Sequence, residues 1–268
     1  MTDRPWDDDL ARAEARANVE VRLLSEPTDL ADAQRVFDDV WPSADGSTQL
    51  PTNLMRAIVH AGGYCSAAYR DGIPIGAAFG FAGRHEVDGT WHDHLHSHMA
   101  GALESYRNQH IGTALKLHQR VWALGVGLDT IVWTFDPLVR RNARLNLIKL
   151  GVDVDGFVPD FYGDMDDGIN SGDPTDRLFA WWHLDSEQVS AAMAGDVTEL
   201  DIAALRHAGR DVREVALPED IVAIRSDDPA AASRWRLRVR EDLQTAFAGG
   251  YRIIGLADHG GYALERTP

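Results

Sequence analysis

Two apolar runs separated by a two-residue turn constrain the fold of this chain more than any other segment. Residues 64–69 and 73–81 flank Asp71-Gly72, a dipeptide that tolerates positive φ and is typical of a tight β-hairpin. A third strand-like run covers residues 90–102. The segment therefore predicts an antiparallel hairpin followed directly by a further strand.

Helical and strand-like patterns alternate around this hairpin in the order β-α-α-β-β-β-α-β-α-β-β, which predicts a mixed α/β layer rather than a bundle or sandwich. Thr28 is the predicted N-cap of the first core helix. Further strands are predicted at residues 19–24, 128–135, 154–158 and 178–183, and helices at residues 28–40, 53–60, 109–124 and 138–150. Beyond residue 185 the pattern predicts partial helix at 189–207, a strand at 221–224, a helix at 228–248 and a hairpin at 251–264.

This order predicts an N-terminal arm at residues 1–18, a core at 19–184 and an α+β extension at 185–268. The extension is expected to pack on the core, with a small second domain as the alternative. A chain of 268 residues is long enough for either arrangement.

Cysteine content and charge limit the environment and the partners. Cys65 is the single cysteine, so no internal disulfide can form, and a reducing cytoplasm is expected. The first nine residues lack a signal-like apolar run, and no stretch of 18 apolar residues occurs, so no membrane association is expected. The net charge of −16 argues against nucleic acid as a partner.

The segment from Tyr106 to Leu115 connects a predicted strand to a predicted helix and is a candidate anion site. Free amide N–H groups and the positive end of the helix dipole attract a phosphate there. The small residues Gly112 and Ala114 let a pyrophosphate approach the backbone closely. Neither the G-x-G-x-x-G pattern nor the P-loop with its lysine is present.

Gln109-His110-Ile111-Gly112-Thr113-Ala114 matches the pattern Q/R-x-x-G-x-G/A and resembles the coenzyme A pyrophosphate motif of the GNAT superfamily of N-acyltransferases. Asn142-Ala143 and Lys149-Leu150-Gly151 resemble a second segment of that family. The resemblance implies a GNAT-like mixed, largely antiparallel sheet flanked by helices, with a C-terminal extension found in a subset of predicted bacterial acyltransferases. It also implies cofactor-binding roles for Ala100, Ala102, Arg107, Gln109, His110, Ile111, Gly112, Thr113, Ala114 and Asn142.

Local charge agrees with a phosphate ligand. Residues 101–150 carry seven basic and three acidic groups, a balance of +4. The remaining 218 positions therefore carry −16 − 4 = −20. The chain is acidic apart from one basic stretch, and this predicts a single small polyanion such as coenzyme A as the ligand.

Four histidines, His92, His94, His96 and His98, alternate along the predicted strand, which places them on one face. The positions of His96 and His98 resemble those of two histidines in arylalkylamine N-acetyltransferases, which implies that both accept the substrate proton. His92 and His94 would then only flank the acceptor pocket. Two alternatives remain open: a metal site, although no Cys, Asp or Glu cluster completes it, and purely structural imidazoles.

The general acid is a second open point. Many family members have a tyrosine two residues before the lysine of K-x-G, and Leu147 stands there. Tyr162 is the candidate substitute, with a packing role as the alternative. Eight aspartates between residues 151 and 176 either attract an ammonium substrate or form solvated turns.

These features predict an N-acyltransferase that moves an acetyl or other short acyl group from CoA to a primary amine of a small molecule, directly in a ternary complex. Acetyl-CoA or succinyl-CoA is the expected co-substrate, without a metal, and a homodimer is possible. An N-succinyltransferase acting on amino acids is one alternative, with Arg84 or Arg56 near the acyl end or as ordinary surface residues. A catalytically inactive CoA-binding regulatory module is the other.

Overall fold

The computed structural model describes residues 5–43, 45–163 and 173–267. The described chain divides into two compact units, the first ending at Trp133 and the second beginning at Thr134. The predicted fold class is confirmed: the first unit contains a largely antiparallel sheet flanked by helices, and the second ends in an α+β region. The predicted boundaries after residues 18 and 184 stay predictions.

Among its described residues, the first unit contains four helices and five strands, of which the fifth continues into the second unit. Its elements are α1 Pro5–Ala17, β1 Glu20–Leu23, α2 Pro27–Val40, α3 Thr52–His60, β2 Tyr64–Arg70, β3 Ile73–Val87, β4 Thr90–Ala102, α4 Ile111–Gly125 and β5 Thr130–Phe135, with a 3₁₀ turn at Glu104–Tyr106. The strands lie in the order β1-β2-β3-β4-β5. The first four strands pair antiparallel, and only β4 with β5 is parallel.

The hairpin predicted at Asp71-Gly72 is present. Both residues have positive φ, +51° and +75°, as a tight two-residue connection requires. β4 carries a β-bulge, because Phe79 pairs with Met99 and Gly80 pairs with Ser97, so His98 has no direct partner on β3. The bulge lies in the strand that was predicted to carry the site.

Helices cover both faces of this sheet. Leu30, Val36 and Phe37 of α2 lie in one apolar core with Cys65 and Phe79 of the sheet. Leu30, Ala33, Val36, Phe37 and Val40 recur at helical spacing along the buried side of α2. The N-cap is Glu26 with Pro27 at the first turn, so the predicted Thr28 cap was wrong; proline already supplies the helical φ one residue earlier.

The predicted N-terminal arm is a helix that packs against α4. Ala13 and Ala17 are buried. Asp9 accepts a hydrogen bond from Arg120 at 2.9 Å, and the two side chains are 12% and 7% exposed. A buried ion pair of this kind fixes the register of two packed helices. The arm therefore supports the helix that begins at the candidate anion site.

The second unit contains the end of β5 and the rest of the chain. Its elements are α5 Arg140–Arg144, a π-helical turn at Leu145–Lys149, β6 Asp153–Val158, β7 Arg177–His183, α6 Glu187–Ala194, α7 Ile202–His207, β8 Val212–Val215, α8 Ile221–Asp227, α9 Pro229–Ala248, β9 Tyr251–Leu256 and β10 Tyr262–Arg266. The strands lie in the orders β5-β7-β6 and β8-β10-β9. The predicted helix at 138–150 thus starts later and contains a π turn.

Residues 221–224, predicted as a strand, are helical. Asp220 caps α8 by accepting hydrogen bonds from the amides of Val222 and Ala223. The β-branched run Ile221-Val222 favoured a strand locally, but the cap decides the helix. The strand of this region is β8, which the sequence analysis missed.

Candidate functional site

A cleft opens in the first unit where β4 and β5 part. Their parallel pairing joins Leu95 with Ile131 and His96 with Val132, and this two-pair register ends there. β4 then continues to Ala102, beside β3 but no longer in register with β5. Backbone amides on this side of β4 beyond the bulge are therefore available to a ligand rather than to a neighbouring strand.

The anion-binding segment leads from β4 into α4. Asn108 and His110 both have left-handed backbone conformations, with φ of +63° and +64°. The amides of Thr113 and Ala114 donate to the carbonyl of His110 at 3.1 and 3.2 Å, so helical hydrogen bonding begins there. The amides of Ile111 and Gly112 precede these bonds and, as at any helix start, have no acceptor within the helix. The segment has the geometry of an anion site.

Gln109 fixes this turn through its side chain. Its Oε1 accepts a hydrogen bond from Arg70 at 2.8 Å, and its Nε2 donates to the carbonyl of Ser105 at 3.2 Å. Arg70 also donates to the backbone carbonyls of Ala17 and Asn18, at the end of α1. Arg70 thus ties β2, α1 and the turn together, a connection that the sequence did not reveal. The Arg107 guanidinium donates a hydrogen bond to the Glu104 carboxylate at 3.1 Å.

His96 and His98 lie close together on β4. Their rings are 6.1 Å apart, and both contact Phe81, at 4.9 and 5.6 Å. Burial, with smaller contributions from His98, His94 and Lys116, lowers the pKa of His96 to about 4. His98 is exposed, and the partial desolvation of its ring also lowers its pKa. Both rings are therefore neutral at pH 7.

The other two histidines of β4 belong to a separate cluster near the hairpin tip. His94 lies with its Nδ1 3.2 Å from Nδ1 of His85, and the ring of His92 stacks on His85. His85 on β3 was not singled out from the sequence. Within the described residues, no group of three or more His, Cys, Asp or Glu side chains is arranged to bind a metal ion.

A buried polar cluster lies between α4 and β4, and the sequence analysis missed it. Lys116 is 5% exposed; its Nζ donates to Ser97 Oγ at 2.8 Å and lies 3.6 Å from the ring centre of Trp133. Ser97 Oγ donates to Gln119 Oε1 at 3.0 Å. Burial lowers the pKa of Lys116 well below its usual value. The only available signal was that Lys116 and Lys149 are the sole lysines of the chain.

Two predicted site residues belong to the second unit. Asn142 lies half-buried in α5, and the Oη of Tyr162 is 3.0 Å from Thr134 Oγ1, under the guanidinium of Arg177. Leu147 is buried in the π-helical turn, a structure that is frequent at functional positions. The roles predicted for Asn142 and Tyr162 stay predictions.

Several aspartates of the acidic segment are structural. Asp173 and Asp176 form ion pairs with Arg236 and Arg240, and Asp160 accepts a hydrogen bond from the amide of Thr175. These three aspartates therefore fix the segment rather than face a ligand. Asp164, Asp166 and Asp167 lie outside the described residues.

Solved structures with a similar fold include acetyltransferases of the GNAT family. An acetyltransferase of this family from Streptococcus pneumoniae is 17% identical, covers 61% of this chain and 98% of its own, and has a TM-score of 0.47. An N-acetyltransferase from Staphylococcus aureus is 16% identical, covers 63% of this chain and 99% of its own, and has a TM-score of 0.49. Arabidopsis thaliana Naa50, in complex with a bisubstrate analogue, is 16% identical, covers 60% of this chain and 97% of its own, and has a TM-score of 0.45.

No protein-family profile and no curated protein matches the chain. None of the helices in the described ranges is both long and apolar enough to span a membrane.

Proposed function

We propose that the chain is an acyl-CoA-dependent N-acyltransferase that transfers an acyl group to a primary amine of a small molecule. The observation that carries the proposal is the parting of β4 from β5 directly before the anion-binding start of α4. This arrangement suits a ligand with a diphosphate at one end and an extended arm that pairs with a strand edge. Coenzyme A has this shape, and the motif from Gln109 to Ala114 resembles one that binds it.

In this reaction, the amides of Ile111 and Gly112 and the dipole of α4 bind the pyrophosphate. The thioester lies beside residues 100–102 of β4, where backbone amides orient the carbonyl and stabilise the oxyanion. The amine nitrogen attacks the thioester carbon, the carbon–sulfur bond breaks, and CoA leaves as a thiolate that takes up a proton. The substrate amine must first lose its own proton.

His96 and His98 are the proposed route for that proton. A neutral imidazole accepts a proton, and the two rings and Phe81 form one contact group on β3 and β4. With a pKa of about 4, His96 is a weak base, so it suits a relay that passes the proton on rather than a group that keeps it. Tyr162 as general acid and Asn142 as a pantetheine contact are further proposals of this scheme.

Direct transfer, without an acyl-enzyme, is supported by the state of the single cysteine. Cys65 is fully buried in the core between the sheet and α2. Burial raises the pKa of its thiol to about 12, so the thiolate is scarce at pH 7. In the proposed reaction the amine attacks the thioester itself, in a ternary complex.

The test is release of free CoA thiol from acetyl-CoA and succinyl-CoA with a panel of primary amines. Thiol release that depends on an amine supports the proposal. Tight CoA binding without turnover on any amine would favour the regulatory module instead. A variant with His96→Ala and His98→Ala that keeps its rate and pH profile would overturn only the proton route.

Gly112→Asp tests the anion site. The new carboxylate suits a helix start, because it complements the dipole, but it repels a phosphate. We expect KM for acyl-CoA to rise at least tenfold, with the melting temperature unchanged. Gly125→Asp places the same charge at the other end of α4 and is the matched control.

A further inference from the structure

The buried cluster of Lys116, Ser97 and Gln119, here called the Lys116 cluster, has hydrogen-bonding capacity that the protein does not use. The three residues are 5%, 4% and 0% exposed. Lys116 donates to Ser97, and Ser97 donates to Gln119 Oε1. Nε2 of Gln119 is buried and has no acceptor among the described residues. An amide donor left unpaired in the interior costs about 1–3 kcal/mol, so this arrangement needs a reason.

An acceptor with negative charge would complete the interactions of Lys116 Nζ and Gln119 Nε2. No carboxylate among the described residues forms an ion pair with Lys116, which has only the Ser97 hydroxyl and the face of Trp133. A buried ammonium without a counter-charge is unfavourable, and burial accordingly lowers the pKa of Lys116. A lysine amine and a spare amide donor in one cluster are the groups that bind a carboxylate.

The cluster lies at the closed end of the cleft. His96 and Val132 form the last pair of β4 and β5, and Ser97 and Trp133 are the next residues on the two strands. Lys116 contacts both Ser97 and Trp133. A group that enters the cleft from α4 and points toward its closed end therefore points at this cluster.

The distance suits an acyl tail longer than acetyl. Ser97 and Ala100 are three residue steps apart on β4, which is about 10 Å in a regular strand and less where the bulge at His98 contracts it. A tail of three carbon–carbon bonds spans roughly 4 Å, and a hydrogen bond adds about 3 Å. An acetyl group has one carbon–carbon bond, so its tail reaches less far toward Ser97 than that of a four-carbon acyl group.

We propose that the Lys116 cluster binds the terminal carboxylate of a dicarboxylic acyl-CoA, so that the donor is of the succinyl class. The inference rests on the proposed function and names its donor. Nζ of Lys116 and Nε2 of Gln119 donate to the carboxylate, and Lys116 takes up a proton when the carboxylate binds. Arg84, suggested for this role by the sequence, is instead paired with Asp93 on the exposed hairpin.

The experiment compares the binding of succinyl-CoA and butyryl-CoA by titration calorimetry. Both acyl groups have four carbons, and only succinyl carries a carboxylate. No amine is required, so the unknown acceptor does not enter. We expect the wild type to bind succinyl-CoA at least tenfold more tightly. Lys116→Met should bring succinyl-CoA to the affinity of butyryl-CoA, with butyryl-CoA binding unchanged.

Lys149→Met is the matched control, since Lys149 is exposed and is the only other lysine. It should keep the tenfold preference. Gln119→Leu, which leaves Lys116 in place, should reduce the preference severalfold and serves if Lys116→Met does not fold, as judged by circular dichroism.

Equal affinity of the wild type for the two thioesters would overturn the inference and leave the proposed function standing. A preference that survives in both Lys116→Met and Gln119→Leu would overturn it too. If neither thioester nor CoA itself binds, the proposed function fails.

Discussion

Each unit contains a buried cationic side chain, and the two side chains have different partners. Arg236 in the second unit is 2% exposed and pairs with Asp136 and Asp173, with N–O distances of 2.8 to 2.9 Å. Lys116 in the first unit is 5% exposed and meets a hydroxyl and an indole ring. Burial opposes the charge of both, but the two aspartates raise the pKa of Arg236, whereas the pKa of Lys116 falls.

The difference separates a structural charge from a binding group. Nε, Nη1 and Nη2 of Arg236 all donate hydrogen bonds to Asp136 or Asp173. Arg236 therefore joins α9 to the segments that carry these two aspartates. The Lys116 amine has no carboxylate partner among the described residues, and the neighbouring Gln119 has an amide donor, Nε2, without an acceptor there. A charge that the fold has already neutralised offers nothing to a ligand.

The largest predicted effect is on the paired cation. Arg236→Met leaves two buried aspartates without their main partner and should lower the free energy of unfolding of the second unit by about 3–5 kcal/mol. Urea unfolding measures it. Arg234→Met on the same helix, where the side chain is exposed, should change the free energy by less than about 0.5 kcal/mol. Similar effects of both variants would show that the buried network is not structural.

Acid should affect the two units at different pH. Burial lowers the pKa of both His96 and His118 to about 4. In the unfolded chain they titrate near 6.5, so the unfolded state takes up protons first and the first unit loses stability as pH falls from 6.5 to 4. Each histidine costs about 3 kcal/mol once fully titrated.

The second unit should resist the same change. Burial would raise the pKa of Asp136, but the charges and hydrogen bonds of Arg236 and Arg225 lower it to about 2. The stabilising contribution of Asp136 is complete above pH 3.8 and is lost as pH falls through 2. Hydrogen exchange at pH 7 and pH 4.5, corrected for intrinsic rates, should show β4 and α4 weakened before α9. His118→Gln should reduce the difference, and equal weakening of both units would contradict it.

Lys116→Met should be neutral or stabilising in the absence of ligand. Methionine fills a similar volume without a buried amine. Replacing an amine that has no counter-charge among the described residues removes the cost of desolvating it, at the loss of one hydrogen bond to Ser97. We expect a gain of up to about 1–2 kcal/mol in urea unfolding, against a change within about 0.5 kcal/mol for Lys149→Met. A loss above 2 kcal/mol would mean that Lys116 stabilises the fold, in contrast to the role argued here.

The sequence predicted what depends on neighbours in the chain. Alternation and a two-residue turn were enough for the hairpin of β2 and β3, and the small residues of the Gln109–Ala114 motif were enough for the start of α4. The strand at 221–224 was wrong because a single side-chain cap, Asp220, outweighed a β-branched run. Local propensity is weak compared with a satisfied helix start.

Groups assembled from distant parts of the chain were not predictable. Lys116 meets Ser97 from 19 positions away, and Arg236 meets Asp136 from 100 positions away. Nothing in the local pattern of either cation tells whether a carboxylate will face it. The same limit hid Arg70 and His85, which act through residues on other elements.

The contrast between the units extends to the backbone and gives the smallest predicted effect. Among the described residues, five non-glycine residues of the first unit have positive φ, and the second unit has one, Asp160. All six are Asn or Asp except His110, at the start of α4.

A left-handed conformation costs a residue with a Cβ about 1–2 kcal/mol, partly offset by the greater unfolded-state entropy of glycine. His110→Gly should therefore stabilise the first unit by about 0.5–1 kcal/mol, measured by urea unfolding. His60→Gly, a helix residue without positive φ, should destabilise instead. A loss of stability in His110→Gly would show that the imidazole itself supports the turn.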